Sequence, residues 1–349
     1  MKTALLYVLY VGNLYGTERM AVATARGLAG EFDPLVLSPP GRVAAFARDR
    51  EVPWAPFHGY LDLARRMNAA LGRHGEIALL ATRFEQVLVF WALNVFRRRR
   101  VAHYVVVHGG GGKNVYWRNR LLAPLPVRFI AVSDFVREEL VANGVARSRI
   151  EVIENFLTRA QIEAIPRRAP FGPGGVRKVV ILSRMMPQKR VGLVLDAVEA
   201  EPALADVSFD VFGEGEEREA LAARAQRHPN VRFLGYDREV TSRIRDYDLL
   251  LHTAPREPFG VVLIEAMAAG VPVLVPDAGG TACIVSDRST GYLYRADDAR
   301  DLAAQLLRLK DASAAELNAT VANASRALDE RFTEEAALGR YRQALGRRA

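Results

Sequence analysis

Residues 257–280 read Glu-Pro-Phe-Gly-Val-Val-Leu-Ile-Glu-Ala-Met-Ala-Ala-Gly-Val-Pro-Val-Leu-Val-Pro-Asp-Ala-Gly-Gly, and this order of residue types predicts a loop, a helix and a strand. Pro258 and Gly260 are typical of a loop, and the apolar run Val261–Ala269 contains helix formers and ends at a glycine. Residues 271–275 then indicate a buried strand. Helices and strands also alternate along the rest of the chain, which predicts parallel sheets covered by helices.

Two carboxylates bracket the predicted helix. A helix that begins near Phe259 leaves its first backbone N–H groups unpaired in the loop, where anions or sugar hydroxyls can use them. Glu257 lies beside this loop, and Glu265 lies about two turns along the helix, from which it can reach back toward a ligand. A carboxylate accepts two hydroxyls at once, as a ribose or hexose diol requires. The stretch therefore predicts a site for phosphates and sugars.

The same stretch resembles the signature of family 4 of the retaining, nucleotide-sugar-dependent glycosyltransferases with the GT-B fold. That signature places two glutamates eight positions apart, then small-small-Gly-x-Pro-Val and a later Gly-Gly. The matching positions here are Glu257, Glu265, Gly270, Pro272 and Gly279-Gly280. The resemblance implies an α/β protein of two Rossmann-like domains with a deep interdomain cleft and a C-terminal helix that crosses back to the first domain.

The length of the chain fits this organisation. At 349 residues it is too long for one typical core and fits two α/β domains. Prolines, glycines and arginines cluster without periodicity over residues 158–175, which predicts the domain linker. By the resemblance we expect an acceptor-binding domain at residues 1–165, a donor-binding domain at 172–331, and a helix at 332–349 that packs on the first domain.

Three features of the sequence bear on location. Residues 3–11 read as a strand and carry no cleavage site, so a cytoplasmic protein is expected. The longest apolar run, residues 87–96, is well short of the ~20 residues that span a bilayer, and we expect its helix to be mostly buried. The single cysteine, Cys283, excludes an internal disulfide and a cysteine-based metal cage, in agreement with a reducing compartment.

The positive charge of the chain is uneven. Residues 1–165 carry 22 Lys+Arg against 14 Asp+Glu, whereas residues 166–349 carry 26 of each, so the whole excess of +8 lies in the first half. This half is therefore expected to meet something anionic, such as a membrane surface or a phosphorylated acceptor, and no nucleic-acid partner is expected. The alternative is a generally basic surface without a partner.

Two motifs of the first half follow predicted strands, where open α/β sheets bind their ligands. Tyr15-Gly16-Thr17-Glu18 resembles the loop that follows the first strand in members of this family, which implies that Gly16 contacts the donor. The alternative is a tight turn in which Thr17 caps a helix. His108 precedes four glycines, and the resemblance implies that it lies close to the donor sugar, although a lone histidine is commonly structural. Lys113 is an acceptor-binding candidate.

The second half restarts with a predicted strand followed by two cations. Arg184 and Lys189 bracket a turn at the carboxyl end of this strand, where they suit a diphosphate. The pattern resembles the family's Gly-Arg-x-x-x-x-Lys-Gly, with Ser183 and Arg190 in place of the glycines. Tyr236 falls where the family contacts the nucleobase.

These residues predict a glycosyltransferase that moves a sugar from a nucleotide-sugar to a glycan, lipid-linked or small-molecule acceptor, without a metal or other cofactor. The resemblance implies retention of anomeric configuration. The expected catalytic residues are His108, Arg184, Lys189 and Glu257. The expected donor-binding residues are Gly16, Arg184, Lys189, Tyr236, Glu257, Pro258, Phe259, Gly260, Val261 and Glu265. A nucleotide-sugar epimerase of the same fold and a non-catalytic nucleotide-sugar-binding protein are the alternatives.

Overall fold

The computed structural model describes residues 2–109 and 116–346, which divide into two compact units. The first unit contains Met1–Phe156 together with Glu334–Ala349, and the second contains Leu157–Thr333. Lys113 and three of the four glycines that follow His108 lie outside the described residues.

A parallel sheet forms the centre of the first unit. In the described part of the chain it has seven strands in the spatial order β3-β2-β1-β4-β5-β6-β7. The middle strands are runs of Leu, Val, Ile and Ala that are buried on both faces, as a sheet with helices on either side requires. The strands are β1 Thr3–Val8, β2 Phe32–Ser38, β3 Trp54–Pro56, β4 Glu76–Ala81, β5 Arg100–Val107, β6 Val127–Ala131 and β7 Ile150–Val152.

Side chains cap the beginnings of some helices of the first unit. Ser133 Oγ accepts a hydrogen bond from the Val136 backbone N–H at 3.2 Å at the start of one helix, as its sequence predicts. Thr17 does not cap the first helix: the helix begins one residue earlier, and the Glu18 side chain accepts from the Tyr15 N–H at 3.0 Å. These helices are α1 Gly16–Gly27, α2 Val43–Arg48, α3 Gly59–Arg73, α4 Phe84–Arg97 and α5 Asp134–Ala142.

Helix α4 is less buried than its composition predicts. Its fully buried residues are Gln86, Val87 and Phe90, which share one face, whereas Val95 and Phe96 point to the opposite side and are 48% and 90% exposed. A helix that is apolar all round can bury only the face that has a partner, and here α3 and the sheet cover one side. Across residues 2–109 and 116–346, no helix combines the length and apolarity needed to cross a membrane.

The second unit repeats the architecture on a smaller scale. Its described strands form a six-stranded parallel sheet in the order β10-β9-β8-β11-β12-β13, in which β8 and β11 are neighbours. Their carboxyl ends therefore lie at one edge of the sheet, and this juxtaposition builds the candidate site. The strands are β8 Lys178–Leu182, β9 Ser208–Phe212, β10 Val231–Gly235, β11 Leu249–Leu251, β12 Val273–Pro276 and β13 Tyr292–Tyr294.

The helices of the second unit include two of more than four residues that the sequence patterns did not predict. One of them, α6, lies within the segment read as a linker, where the Thr158 side chain accepts from the Gln161 N–H at 3.3 Å. The other, α13, has 18 residues. The helices are α6 Arg159–Ala164, α7 Leu193–Ala200, α8 Arg218–Ala225, α9 Val240–Arg243, α10 Val261–Ala269, α11 Thr281–Ile284, α12 Ala299–Lys310 and α13 Ala314–Arg331.

The last helix, α14 at Glu334–Gly346, belongs to the first unit although it follows the second in sequence. Its Ala337, Leu338 and Tyr341 are buried in the core of that unit. Tyr104 on β5 donates its hydroxyl proton to the Ala344 carbonyl at 2.5 Å. The chain thus returns to its first sheet after completing the second.

Candidate functional site

The candidate site lies at the carboxyl edge of the second sheet, where the loops after β8 and β11 meet. The Thr253 hydroxyl, just after β11, donates to the Lys189 carbonyl at 2.7 Å and fixes the two loops together. The loop after β11 continues to Glu257, whose backbone carbonyl accepts from the Gly280 N–H at 2.6 Å. These hydrogen bonds to backbone carbonyls thus fix the loops that carry the predicted cation and the predicted carboxylate.

A triad of charged and polar side chains forms the centre of this site. Lys189 Nζ donates to Glu257 Oε2, and His252 Nε2 lies 3.3 Å from the same oxygen. All three are largely enclosed: the Lys189, Glu257 and His252 side chains are 24%, 15% and 5% exposed. The sequence predicted Lys189 and Glu257 but missed His252, although it follows the end of a strand, which is the position that drew attention to His108.

The surroundings of Glu257 determine its ionisation. Burial alone would raise the pKa of this carboxyl, but the adjacent His252 imidazole and Lys189 ammonium outweigh it and lower the pKa to about 2. Glu257 is therefore a carboxylate at neutral pH, ready to accept hydrogen bonds from hydroxyl groups. Among the residues that the structure describes, no group of three or more His, Cys, Asp and Glu side chains is arranged to hold a metal ion.

This low pKa predicts an acid-dependent loss of stability. Because the folded-state pKa of Glu257 lies below its ordinary value of 4.5, the stabilisation is present above pH 4.5 and disappears as pH falls toward 2. We expect Glu257→Gln to lower the free energy of unfolding by about 2 kcal/mol at pH 7 and by much less near pH 3. Urea titrations at both pH values measure this, with the exposed Glu216→Gln as control. An equal loss of unfolding free energy at both pH values would contradict a lowered pKa of Glu257 in the folded protein.

Glycines allow the neighbouring loops to pack closely. A Cβ on Gly213, which has φ +139°, would lie 1.9 Å from the Ser183 carbonyl oxygen, so the turn after β9 lies directly on the turn after β8. A Cβ on Gly280 would lie 1.9 Å from the Pro258 carbonyl oxygen. The glycines of Gly213-Glu214-Gly215 therefore allow close packing of the loops. The carboxylates of Glu214, Glu216 and Glu217 would repel a phosphate, so this turn is not a phosphate-binding loop.

Helix α10 begins beside the triad. Gly260 caps it with φ +93°, a left-handed conformation that favours glycine, and the first helical residue is Val261. Phe259 is 2% exposed and packs edge-to-face on Phe332, with ring centroids 6.0 Å apart, which anchors the loop. Glu265 lies half-buried in the second turn of the helix.

Two other predicted residues of this unit lie at the same edge but are exposed. Arg184 occupies the turn after β8, and Tyr236, 67% exposed, follows β10 and donates its backbone N–H to Glu214 Oε1 at 3.3 Å. Arg190, which stands where the family has a glycine, adopts the left-handed conformation at φ +54° and places its Nε 2.6 Å from Asp297 Oδ1. Residue 190 thus keeps the left-handed backbone conformation that favours glycine, although it is an arginine.

The predicted residues Gly16 and His108 lie in the first unit. A Cβ on Gly16 would meet no atom within 4 Å, whereas one on Gly12 would lie 2.3 Å from the Pro40 carbonyl oxygen, so Gly12 is the glycine that this turn requires. His108 lines a cavity of about 330 Å³ at the carboxyl ends of β1, β4 and β5. Burial lowers its pKa to about 4, and its buried Nε2 has no hydrogen-bond partner among the described residues.

Two protein families match this chain over successive segments. Residues 15–160 match "Glycosyltransferase Family 4" and residues 166–327 match "Glycosyl transferases group 1". Together these matches span most of the chain.

Individual relatives match about half of the chain. A GDP-mannose-dependent alpha-mannosyltransferase of Mycobacterium tuberculosis is 31% identical over 180 residues, 50% of this chain and 45% of the relative. A phosphatidyl-myo-inositol mannosyltransferase of Mycobacterium leprae is 31% identical over 188 residues, 52% of this chain and 49% of the relative. The matched region thus spans about half the length of each relative.

Solved structures match the fold over nearly the whole chain. HepE of Anabaena, in complex with UDP and glucose, has a TM-score of 0.81 at 19% identity, covering 99% of this chain and 100% of that one. The lipopolysaccharide outer core galactosyltransferase WaaB has a TM-score of 0.78 at 16% identity, covering 99% of each chain. These similarities and the two sheets confirm the predicted GT-B fold of two Rossmann-like domains. The two family matches show that the chain belongs to the family 4 glycosyltransferases.

Proposed function

We propose that this chain is a retaining glycosyltransferase that moves a hexose from a nucleotide-sugar to an acceptor hydroxyl without a metal ion. The observation that carries the proposal is the contact of Lys189 and His252 with Glu257 at the carboxyl edge of the second sheet. It joins a fixed cation, suited to a phosphate, to a carboxylate that is ionised at neutral pH and suited to sugar hydroxyls.

The donor binds the second unit in this proposal. Arg184, Lys189 and the first N–H groups of α10 hold the diphosphate, and Glu257 accepts hydroxyls of the transferred sugar. Glu265 accepts the two ribose hydroxyls and Tyr236 contacts the base. The residues beside Glu257 that line the donor are Pro258, Phe259, Gly260 and Val261.

The reaction breaks the bond between the anomeric carbon and a diphosphate oxygen. Negative charge collects on the leaving phosphate, and Lys189 and Arg184 are fixed cations that stabilise it. The acceptor oxygen attacks from the same face and its proton passes to the leaving phosphate, which accounts for retention. His108, neutral at pH 7 because of its low pKa, exchanges hydrogen bonds with hydroxyl groups of the bound sugars.

The names of the relatives guide the choice of substrates. One is named a GDP-mannose-dependent alpha-mannosyltransferase and another a phosphatidyl-myo-inositol mannosyltransferase, and these names favour a sugar-nucleotide donor and a glycan or lipid-linked acceptor. We place the acceptor on the first unit, with Lys113 as an acceptor-binding residue and Gly16 as a further contact to the donor.

Donor binding is testable by thermal unfolding. At 100 times its dissociation constant the correct nucleotide-sugar should stabilise the protein by about 2.7 kcal/mol, and GDP-mannose, UDP-glucose and UDP-N-acetylglucosamine form the first panel. Glu265→Ala should weaken binding of that nucleotide by about 1.5–3 kcal/mol in calorimetry, since the ribose loses a charged partner.

The outcomes separate the alternatives. Stabilisation by no nucleotide-sugar would refute the proposed function. Conversion of the bound sugar without any acceptor would indicate an epimerase, and binding without turnover in the presence of a broad acceptor panel would indicate a binding protein.

A further inference from the structure

The buried His252 imidazole lies beside the pair formed by Lys189 and Glu257. Its Nε2 is 3.3 Å from Glu257 Oε2, yet this nitrogen has no aligned hydrogen-bond partner among the residues that the structure describes. Lys189 Nζ donates to the same oxygen. The hydrogen bond to this oxygen therefore comes from Lys189, and the imidazole is a second nitrogen at contact distance whose hydrogen-bonding capacity is unused.

Binding of a nucleotide-sugar would change the balance of charge around Glu257. The diphosphate of the donor carries two negative charges, and the ionised Glu257 adds a third. Lys189 and Arg184 supply two positive charges, and the first N–H groups of α10 add only a partial one. Lys189 must then divide its charge between the phosphate and Glu257. Because the Glu257 side chain is only 15% exposed, a loss of compensation is costly there.

The other titratable and charged groups around His252 do not restore this balance. Tyr294 on β13 donates its hydroxyl proton to the His252 carbonyl at 3.2 Å, and burial raises the pKa of this phenol, which stays neutral. The half-buried Glu265 of α10 adds a further carboxyl rather than a cation. The remaining charged groups are exposed side chains, which water screens from the buried imidazole. They are Asp277, Asp297, Arg190 and Arg256.

We propose that His252 takes up a proton when the nucleotide-sugar binds and, as an imidazolium, donates to Glu257 while Lys189 shares its charge with the diphosphate. The proton comes from the solvent, joins the neutral imidazole, and returns to the solvent when the nucleotide leaves. Histidine suits this role because its side chain changes charge between pH 5 and 8, and an adjacent carboxylate favours the charged form.

His252 is a positioning residue in this proposal, since it acts through Glu257 and keeps that carboxylate ionised and aimed at the sugar hydroxyls. The inference rests on the proposed function and adds a regulation of the same site by pH. Because the complex holds a proton that the free protein lacks, donor affinity falls as pH rises through the range in which the imidazole titrates.

The test counts the protons taken up for each nucleotide-sugar bound to the full chain. Calorimetry at pH 7.5 in two buffers of different ionisation enthalpy, PIPES and Tris, gives this number for the nucleotide-sugar that stabilises the protein most in the thermal panel. Both of its phosphates are diesters, so the donor itself takes up no proton in this range. We expect uptake of about half a proton or more, and a dissociation constant that rises at least threefold from pH 7 to pH 8.5.

Two substitutions of His252 separate its hydrogen bond from its titration. His252→Gln places an amide nitrogen near the position of Nε2, so it should still donate to Glu257 but take up no proton, and donor affinity should no longer depend on pH. His252→Leu removes the donor and should weaken binding at least tenfold at pH 7. The matched control is His228→Gln, because His228 Nε2 lies 3.3 Å from Glu199 Oε1 elsewhere in the second unit. It should change neither proton uptake nor affinity.

The outcomes distinguish this inference from the proposed function. If a nucleotide-sugar binds without proton uptake, or if His252→Gln retains the uptake, His252 does not have this role and the proposed function stands. If no nucleotide-sugar binds, the proposed function fails and this inference fails with it.

Discussion

Replacing Lys189 by methionine should lower kcat by about 10²–10³, equivalent to roughly 3–4 kcal/mol, and should change the KM for the donor much less. The phosphate carries more charge in the transition state than in the ground state, so a fixed cation beside it acts mainly on turnover. Steady-state kinetics at saturating acceptor, with the donor concentration varied, measures the effects on kcat and on KM separately. Lys178→Met is the matched control, since Lys178 begins the same strand at its opposite end and is exposed.

The contact of Lys189 with Glu257 complicates a single substitution, because methionine leaves that carboxylate without its cation. The double variant Lys189→Met/Glu257→Gln removes both charges and closes a double-mutant cycle. We expect kcat of the double variant to lie well below that of Glu257→Gln alone, because the leaving phosphate still lacks its cation. A raised KM with unchanged kcat would instead indicate that Lys189 binds ground and transition states equally. Activity abolished by EDTA and restored by Mn²⁺ would refute the metal-independent mechanism.

The sequence predicted the elements that carry this site because each has a strong local signal. Strand β8 is a short apolar run, and the residues 183–190 that follow it combine cations with a proline, so its end and turn were predictable. The loop, helix and strand of residues 257–280 are likewise marked by Pro258, Gly260 and Gly270. Both lie at the same edge since parallel strands align their carboxyl ends.

The features that the sequence did not predict depend on contacts distant in the chain. His252 gains its significance only from Glu257, which a loop brings to 3.3 Å. Helix α13 has mixed Ala and polar residues with few large apolar side chains, so its pattern is weak, and it is held by packing on α10. The cavity of the first unit combines residues from the ends of three strands, and periodicity within any one of them gives no indication of it.

The structure of the basic run of residues 97–100 also depends on contacts that the local sequence does not indicate. The sequence reads it as one cationic helix end, but the helix ends at Arg97, Arg98 adopts the left-handed conformation at φ +49°, and Arg100 begins β5. Arg100 also lies 3.3 Å from Glu76, which offsets its charge. The net positive charge of this run therefore comes from the preceding three arginines.

We propose that this end of α4 attaches the protein to an anionic membrane surface. Arg97, Arg98 and Arg99 are exposed, and the exposed Val95 and Phe96 lie immediately before them. The expectation from sequence, a mostly buried helix that leaves charge as the means of attachment, is therefore corrected: an apolar side chain is also available for insertion. At about 1 kcal/mol for each arginine near an anionic surface, the three contribute about 3 kcal/mol. Burial of Phe96 adds about 2 kcal/mol.

The expected result is binding to vesicles that contain phosphatidylglycerol and not to vesicles of phosphatidylcholine alone, measured by co-sedimentation. Changing Arg97, Arg98 and Arg99 to Gln should reduce the partition coefficient at least a hundredfold, because about 3 kcal/mol of attraction is lost. High salt should have a similar effect, since the screening length falls from ~8–10 Å at ordinary ionic strength to ~3 Å at about 1 M salt. Phe96→Ser should weaken binding at every salt concentration, because insertion of an apolar ring is not screened.

A control with the same loss of charge changes three exposed arginines of the second unit, Arg227, Arg245 and Arg288. Equal binding to both kinds of vesicle, or no binding at low salt, would refute membrane attachment and favour an acceptor free in solution.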